Sequence, residues 1–500
     1  MRASVPGLLV ALACSGSPTT DSPPSTVDTT DTGVLTVDPG PFLPTTSSGS
    51  IEASCSWHEG NQLRIACTAS LGEPEPLTLR VDIPGEPART YTRDAAVAHE
   101  VRIFDLPTDT TLTWEASTPS ARAEGYAVTG SGPPGTHVAL EPVAGEPFRE
   151  ESVVERLLIP WGCGIGDDYL VITDGLGRLR WYHSIERNGL DALALSDRGT
   201  ILAVFGRSTL LEIGLEGDVR RLLGEREGIE LPLHHDVASR HGQTLAINAR
   251  LVEGTDRLHY ISDGLYELGD PGEEAPPPTD VWHLASVMDP TGLSSPVGEN
   301  YWGNALRGID FGHANSIDVD ARGRWLISFK YLDTVMAIDG DPASPARGQI
   351  LWQLVGGELG VTGDALALTA ANGQRPGFEY PHHARWVGPD RITLFDNGRA
   401  GASRVVEIAI DEEAGEAVLQ RSWGVGARCP ILSSGYLLEG GTMVATCTSA
   451  QQLLEFDAEG ELRRRAQLAC AGQATLQPPQ IVKVIPLAPF GMRPEGAALR

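Results

Sequence analysis

Apolar residues recur at every second position through the first third of this chain. Leu63, Ile65 and Cys67 form one such set, and Leu77, Leu79, Val81 and Ile83 another, with similar runs around Val101 to Phe104 and Leu112 to Trp114. A period of two places alternate side chains on one buried face, which is the signature of short strands. Gly and Pro turns separate them, so residues 51–148 are expected to form a small β-sandwich of immunoglobulin-like size.

From residue 149 to 490 the pattern becomes a loose repeat. Its unit is an apolar strand, a strand carrying an apolar-acidic-apolar triplet, a turn rich in Asp and Gly, and another strand. The triplets are Leu211-Glu212-Ile213, Tyr266-Glu267-Leu268, Val406-Glu407-Ile408 and Leu454-Glu455-Phe456, with Met336-Ala337-Ile338-Asp339 a degenerate copy. Helical periodicity is absent. Four-stranded repeats of this length predict an all-β fold, a six-bladed β-propeller, with five or seven blades the alternatives. The stretch Gln480 to Val484 is expected to supply one strand of a blade completed by the start of the domain.

The N-terminus changes the picture of where the fold works. Met1-Arg2, an apolar run from Val5 to Leu12 and Ala13-Cys14 outline a bacterial export signal (residues 1–14), with Cys14 the candidate lipidation site. Residues 15–50, mostly Ser, Thr, Asp, Pro and Gly, cannot bury enough apolar surface to fold and read as a tether. The expected location is therefore the periplasm or the cell surface, with a lipid anchor as the link to a membrane. Lys and Arg total 38 against 66 Asp and Glu, a net charge of −28 that argues against nucleic acid as a partner. Six cysteines follow Cys14; Cys55 and Cys67 flank one hairpin and are candidates for a disulfide, while Cys163, Cys429, Cys447 and Cys470 have no evident pairing. None has the spacing of a zinc site, and the 57 glycines mark turns rather than phosphate loops.

Five of the twelve histidines sit in three short segments: His234-His235-Asp236, Gly312-His313-Ala314-Asn315-Ser316 and His382-His383-Ala384-Arg385. His235, His313 and His382 each lie just before the innermost strand of a repeat, so a propeller brings them to one mouth of its channel, with Lys330 near the same space. His234 and His383 stay open, since neighbours on a strand point to opposite faces. Three histidines with Asp236 could instead hold zinc, iron or manganese, although a metal would compete with imidazole as a nucleophile. A quinone cofactor lacks its repeated Trp motif. The rival from another class is a surface propeller that binds a ligand or partner without catalysis.

His235-Asp236, the run His313 to Asp318, the strand Leu326 to Lys330, His382 with Ala384-Arg385-Trp386, and the turn Phe395-Asp396-Asn397-Gly398 occur in an order that resembles the bacterial arylsulfate sulfotransferases. The resemblance implies a six-bladed propeller that moves a sulfuryl group from a phenolic sulfate ester to a phenol through a sulfohistidine, without cofactor or nucleotide donor. It implies His382 as the sulfated histidine, with His235 and His313 holding the sulfuryl oxygens. Lys330 stands where that family has an arginine, which keeps the charge but loses the two-pronged donor. Asn315 and Asn397, inside the two motifs, are further site candidates. A neutral imidazole can attack sulfur, and protonated His235 or His313 with Lys330 would supply donors for the developing charge.

Overall fold

The computed structural model describes residues 46–59, 61–148, 155–161, 168–185, 189–269, 276–295, 301–302, 305–357, 365–371, 375–470 and 483–487. Cys14, most of the tether and Cys163 lie outside them. The described chain is all-β, and its helical elements are short 3-10 turns such as Glu225–Glu227, Leu284–Ser286 and Thr448–Ala450. No helix among the described residues is long and apolar enough to cross a membrane.

The strands Thr46–Ser48, Ile51–His58, Asn61–Asp82, Arg89–Ile103, Thr111–Ser117 and Arg122–Val128 form one sheet. The long strand Asn61–Asp82 pairs with Ile51–His58 along its first half and with Thr111–Ser117 along its last residues, while Arg89–Ile103 follows both halves. Register breaks between Ser70 and Leu77 let this strand bend from one layer into the other. Two layers thus enclose the apolar face, which includes Ile65, Leu79, Val81, Val101 and Trp114, but hydrogen bonding joins them into a single sheet. Cys55 and Cys67 lie opposite one another and are bonded.

Six further sheets follow, each built on four antiparallel strands. Five begin with the strands Leu190–Leu195, Leu233–Arg240, Ala314–Val319, Pro381–Gly388 and Ser434–Leu437; the first of the six has Ile485–Leu487 next to Arg156–Trp161. Packing shows that the sheets form a ring. Leu170 and Ile172 of the first sheet pack on Leu193 and Ile201 of the second. Val204 of the second meets Val237 of the third, and Ile247 of the third meets Ile317 of the fourth. Val335 of the fourth packs with Ile392 of the fifth, and Phe395 of the fifth with Met443 of the sixth. Val444 and Leu453 of the sixth then pack against Leu157 and Val171 of the first, which closes the ring. The fold is a β-propeller.

The acidic triplets are explained by this packing. Glu212, Glu407 and Glu455 sit on the third strand of their sheets, buried, each directly opposite an arginine on the fourth: Arg221, Arg421 and Arg464. Each pair forms an ion pair. Burying a carboxylate without such a partner is costly, so the acid and the arginine recur together.

Two boundaries differ from expectation. Val138–Gly145, which alternation alone assigns to the first domain, is the fifth strand of the last sheet and pairs with Leu462–Cys470. The strand that completes the first sheet is Ile485–Leu487, just past the stretch expected to do so. Strand patterning reports which face is buried; it carries no information about the pairing partner. The N-terminal sheet is fixed to the ring by Asp105, which is buried and accepts from Arg156 Nε at 2.7 Å and Arg180 Nε at 3.2 Å. A second disulfide joins Cys429 to Cys447, and Cys470 is disulfide-bonded as well.

Candidate active site

The inner strands of the third, fourth and fifth sheets all begin with an irregular step. Their registers shift between Leu233 and Val237, Ala314 and Ser316, and His382 and Arg385. At these bulges His235, His313 and His383 adopt positive φ, 56°, 56° and 52°, a conformation that costs a non-glycine residue of order 1 kcal/mol or more and that often marks functional sites. By backbone conformation His383 is the counterpart of His235 and His313. By side-chain direction it is not. The rings of His235 and His313 are 4.7 Å apart and those of His235 and His382 6.3 Å. His383 instead packs edge-on against Tyr436 at 4.5 Å, and its Nδ1 accepts the Gly435 N–H at 3.4 Å.

Lys330 follows the second strand of the fourth sheet. Its N–H donates to the His313 carbonyl at 3.1 Å, and its ammonium lies 5.2 Å from the ring centres of Tyr331 and Tyr380. His235 and His382 both feel its charge. The structure therefore gathers His235, His313, His382 and Lys330 at one place, with the rings of Tyr301, Tyr331 and Tyr380 beside them: Tyr301 is 4.5 Å from His235 and Tyr331 4.6 Å from His313. The tyrosines were not evident in the sequence, because they sit in connections without periodicity.

Each histidine is held differently. His313 Nδ1 is 2.7 Å from Asp310 Oδ2, a contact signalled in retrospect by the Asp-x-x-His spacing. His235 Nδ1 is 2.9 Å from His234 Nδ1. His382 is buried, and neither of its ring nitrogens has a hydrogen-bond partner among the described residues. Burial pushes the His382 imidazole down to about 3, with Lys483, Lys330 and Arg385 adding to the effect against the opposing pull of Asp236. Burial, then His313, His234, His382 and Lys330, also hold His235 well below the usual histidine range. The cationic or potentially cationic groups that face His235 in a dry setting thus oppose the protonated form expected of it.

The two asparagines are structural supports. Asn315 Nδ2 donates to the Pro381 carbonyl at 2.8 Å, Asn315 Oδ1 accepts from Ser328 Oγ at 2.5 Å, and the Ala384 N–H donates to Ser316 Oγ at 2.8 Å. The His-Ala-Asn-Ser run thus clamps the strand that bears His382. Asn397 Nδ2 donates to the Leu432 carbonyl at 3.2 Å, tying the fifth sheet to the approach of the sixth. The Asp236 carboxylate lies in an ion cluster with Arg385 and Lys483. Among the described residues no group of three His, Cys, Asp or Glu side chains is arranged to hold a metal ion.

These buried rings make stability depend on pH. His183 is lowered to about 4 by burial and Arg64, and His235, His382 and His383 are lowered too. Their folded values lie below the unfolded value near 6.5, so below that pH the unfolded chain takes up protons that the fold refuses. Stability is complete above the unfolded value and falls as pH drops beneath it, by about 1.4 kcal/mol per unit for each ring. The denaturant midpoint should be clearly lower at about pH 5 than at about pH 7. An unchanged midpoint would show that these rings are already charged in the fold.

The sequence model of the arylsulfotransferase (ASST) family matches residues 163–461, more than half of the chain and the whole stretch that carries the four clustered groups. The chain belongs to the arylsulfotransferase family. Aryl sulfotransfer without a nucleotide donor, between a small aryl sulfate and a phenol, is the activity that membership gives it. No curated protein sequence matches the chain. Among solved structures, a protein of unknown function from Bacteroides caccae is similar at 12% identity over 66% of this chain and 98% of its own, with a TM-score of 0.37. Virginiamycin B lyase from Staphylococcus aureus is similar at 10% identity over 58% of this arylsulfotransferase and 86% of its own chain, TM-score 0.31. The WD40 β-propeller domain of Doa1 is similar at 10% identity over 66% and 86%, TM-score 0.35.

Proposed function

We propose that this arylsulfotransferase works in two half-reactions through a sulfate held on His382. The observation that carries the reading is the state of His382: neutral, buried, with both ring nitrogens unpartnered, beside two further histidines and a lysine. In the first half, an imidazole nitrogen of His382 bonds to sulfur as the bond from sulfur to the aryl oxygen breaks, and the phenolate leaves. Lys330 and His313 stand where the sulfuryl oxygens gather charge. In the second half, an acceptor phenol loses its proton and its oxygen takes the sulfuryl group from His382. Tyr301, Tyr331 and Tyr380 offer flat faces suited to the aromatic rings of donor and acceptor.

The test is incubation with a nitrophenyl sulfate, with mass spectrometry for a sulfated histidine and nitrophenol release followed with and without an acceptor. An adduct on the peptide containing His382 supports the reading. No adduct and no release across a panel of aryl sulfates would leave a ligand-binding propeller. Lys330→Arg should keep or raise the rate by a few fold, because a guanidinium offers two parallel donors to a sulfuryl group where an ammonium offers a point charge; a loss beyond about tenfold in kcat/KM would show that the compact ammonium is what the space beside Tyr331 and Tyr380 requires. We further propose that the protein works after export, tethered through Cys14. The disulfides Cys55–Cys67 and Cys429–Cys447 support an oxidising compartment, and fractionation of cells, with Cys14→Ser for comparison, checks the anchor.

A further inference from the structure

His234 precedes His235 on the same strand and is completely buried. Its Nδ1 lies 2.9 Å from His235 Nδ1. Its Nε2 lies 3.3 Å from the Asn248 carbonyl and 3.3 Å from Asp263 Oδ1. Trp302 packs edge-on at 4.8 Å, and the Tyr301 ring is 6.2 Å away. Asp263 is buried with neither oxygen in a well-formed hydrogen bond, and the His234 ring is the titratable group that faces it, at 3.3 Å. Gly312, the residue before His313, is part of this arrangement, since a Cβ there would stand 2.6 Å from Asp263 Oδ2.

The contacts restrict where protons can be. A carbonyl only accepts, so His234 Nε2 carries a proton toward Asn248 and Asp263. The close pair of Nδ1 atoms holds a single proton between them. If that proton is on His235, its Nε2 is a bare lone pair and acts as a base. If it is on His234, that ring is an imidazolium beside Asp263, and His235 is neutral with Nε2–H, an acid. The two forms differ by one proton, so a gain or loss at His235 Nε2 coupled to the shift across 2.9 Å exchanges them and leaves the His235 ring neutral in both.

We propose that His234 is a positioning residue that stores and returns the proton of sulfuryl transfer through His235, with Asp263 as its counter-charge. The inference rests on the two-step reading above. In the donor half, His235 Nε2–H gives its proton to the departing phenolate oxygen while the His234 Nδ1 proton passes to His235 Nδ1. In the acceptor half, the phenol O–H proton goes to His235 Nε2 and the His235 Nδ1 proton returns to His234. The phenol oxygen bonds to sulfur, and the bond from sulfur to His382 breaks with its electron pair left on the imidazole. Protons balance over one cycle. The division of labour follows from the surroundings: His313, His382, His234 and Lys330 crowd His235 and oppose charge on it, and Tyr301 covers it. His234 faces Asp263 and the Asn248 carbonyl, and Asp191 also feels its charge. The counter-charge for a stored proton therefore lies one ring further in.

His234→Asn keeps an acceptor near the Nδ1 position but cannot take up a proton, and Asp263→Asn removes the counter-charge while keeping the shape. Enzyme loaded with sulfate from a nitrophenyl sulfate is mixed with acceptor phenols of graded acidity. The acceptor half-reaction should slow on the order of tenfold or more for weakly acidic phenols, with the loss shrinking for phenols already ionised and as pH is raised. A purely structural role would slow all acceptors alike, and that result, or no loss at all, overturns the proposal. Absence of the initial nitrophenol burst in wild type would overturn the two-step reading instead, so the two failures are distinguishable. Should the variants not fold, a proton inventory on wild type in mixed light and heavy water decides: a curved plot fits two protons in flight, and a straight line overturns the relay.

Discussion

His382→Ala should form no sulfated protein and release no nitrophenol above the uncatalysed rate, a loss in kcat on the order of 10⁴ or more, as expected when a covalent nucleophile is removed. Among the buried histidines described, His382 alone has both ring nitrogens unpartnered. His383, the next residue, is turned toward Tyr436 and has its Nδ1 engaged by Gly435. His313 has its Nδ1 on Asp310, and His235 has its Nδ1 on His234. The variant should also fold normally, and for the same reason that His382 is reactive: its nitrogens have no partners, so truncation strands no buried donor or acceptor. Near-native melting with loss of the adduct separates this outcome from a collapsed site. A sulfated His382→Ala protein would remove His382 from the chemistry, and a digest would show which residue replaces it.

Much of this arrangement was legible because it is periodic. Alternation marks the strands, and the acidic triplets mark the third strand of a blade because a buried glutamate needs its arginine opposite. The histidines drew notice by recurring at one place in the repeat, and the ring then had to bring them together. What stayed hidden depends on partners from distant sequence. Val138–Gly145 reads as a strand, yet its neighbour is Leu462–Cys470. Asp263 belongs to the third strand of its sheet and looks like a surface acid in a polar stretch; only the fold puts it beside His234. The equivalence of His235, His313 and His382 held for their rings but not for their backbones, since in the fifth sheet the positive φ falls on His383. Asp236, weighed as a metal ligand from its place after two histidines, is bound instead by Arg385 and Lys483.

That acid carries the largest expected effect on stability. Asp236 is buried, with Oδ2 2.6 Å from Arg385 Nη2 and Oδ1 2.8 Å from Lys483 Nζ, and it accepts the Ile317 N–H at 3.1 Å. Lys483 Nζ also donates to the Leu193 carbonyl at 3.1 Å, and Arg385 Nη1 to the Ile317 carbonyl at 3.0 Å. One carboxylate thus joins elements from the second, third, fourth and fifth sheets to the segment leading into the closing strand Ile485–Leu487. Burial pushes the Asp236 carboxyl up, but Arg385 and Lys483 outweigh it and hold the group below the usual carboxylate range. Asp236→Asn keeps the volume and removes the charge, leaving a guanidinium and an ammonium together in a dry interior. Breaking a buried pair in this way costs about 3–5 kcal/mol, so the denaturant midpoint should drop sharply at an unchanged slope. Lys483→Met should cost less, because Asp236 keeps Arg385, and adding it to Asp236→Asn should recover part of the loss by removing one stranded cation. If Asp236→Asn alone melts like wild type, water must reach the cluster and screen it.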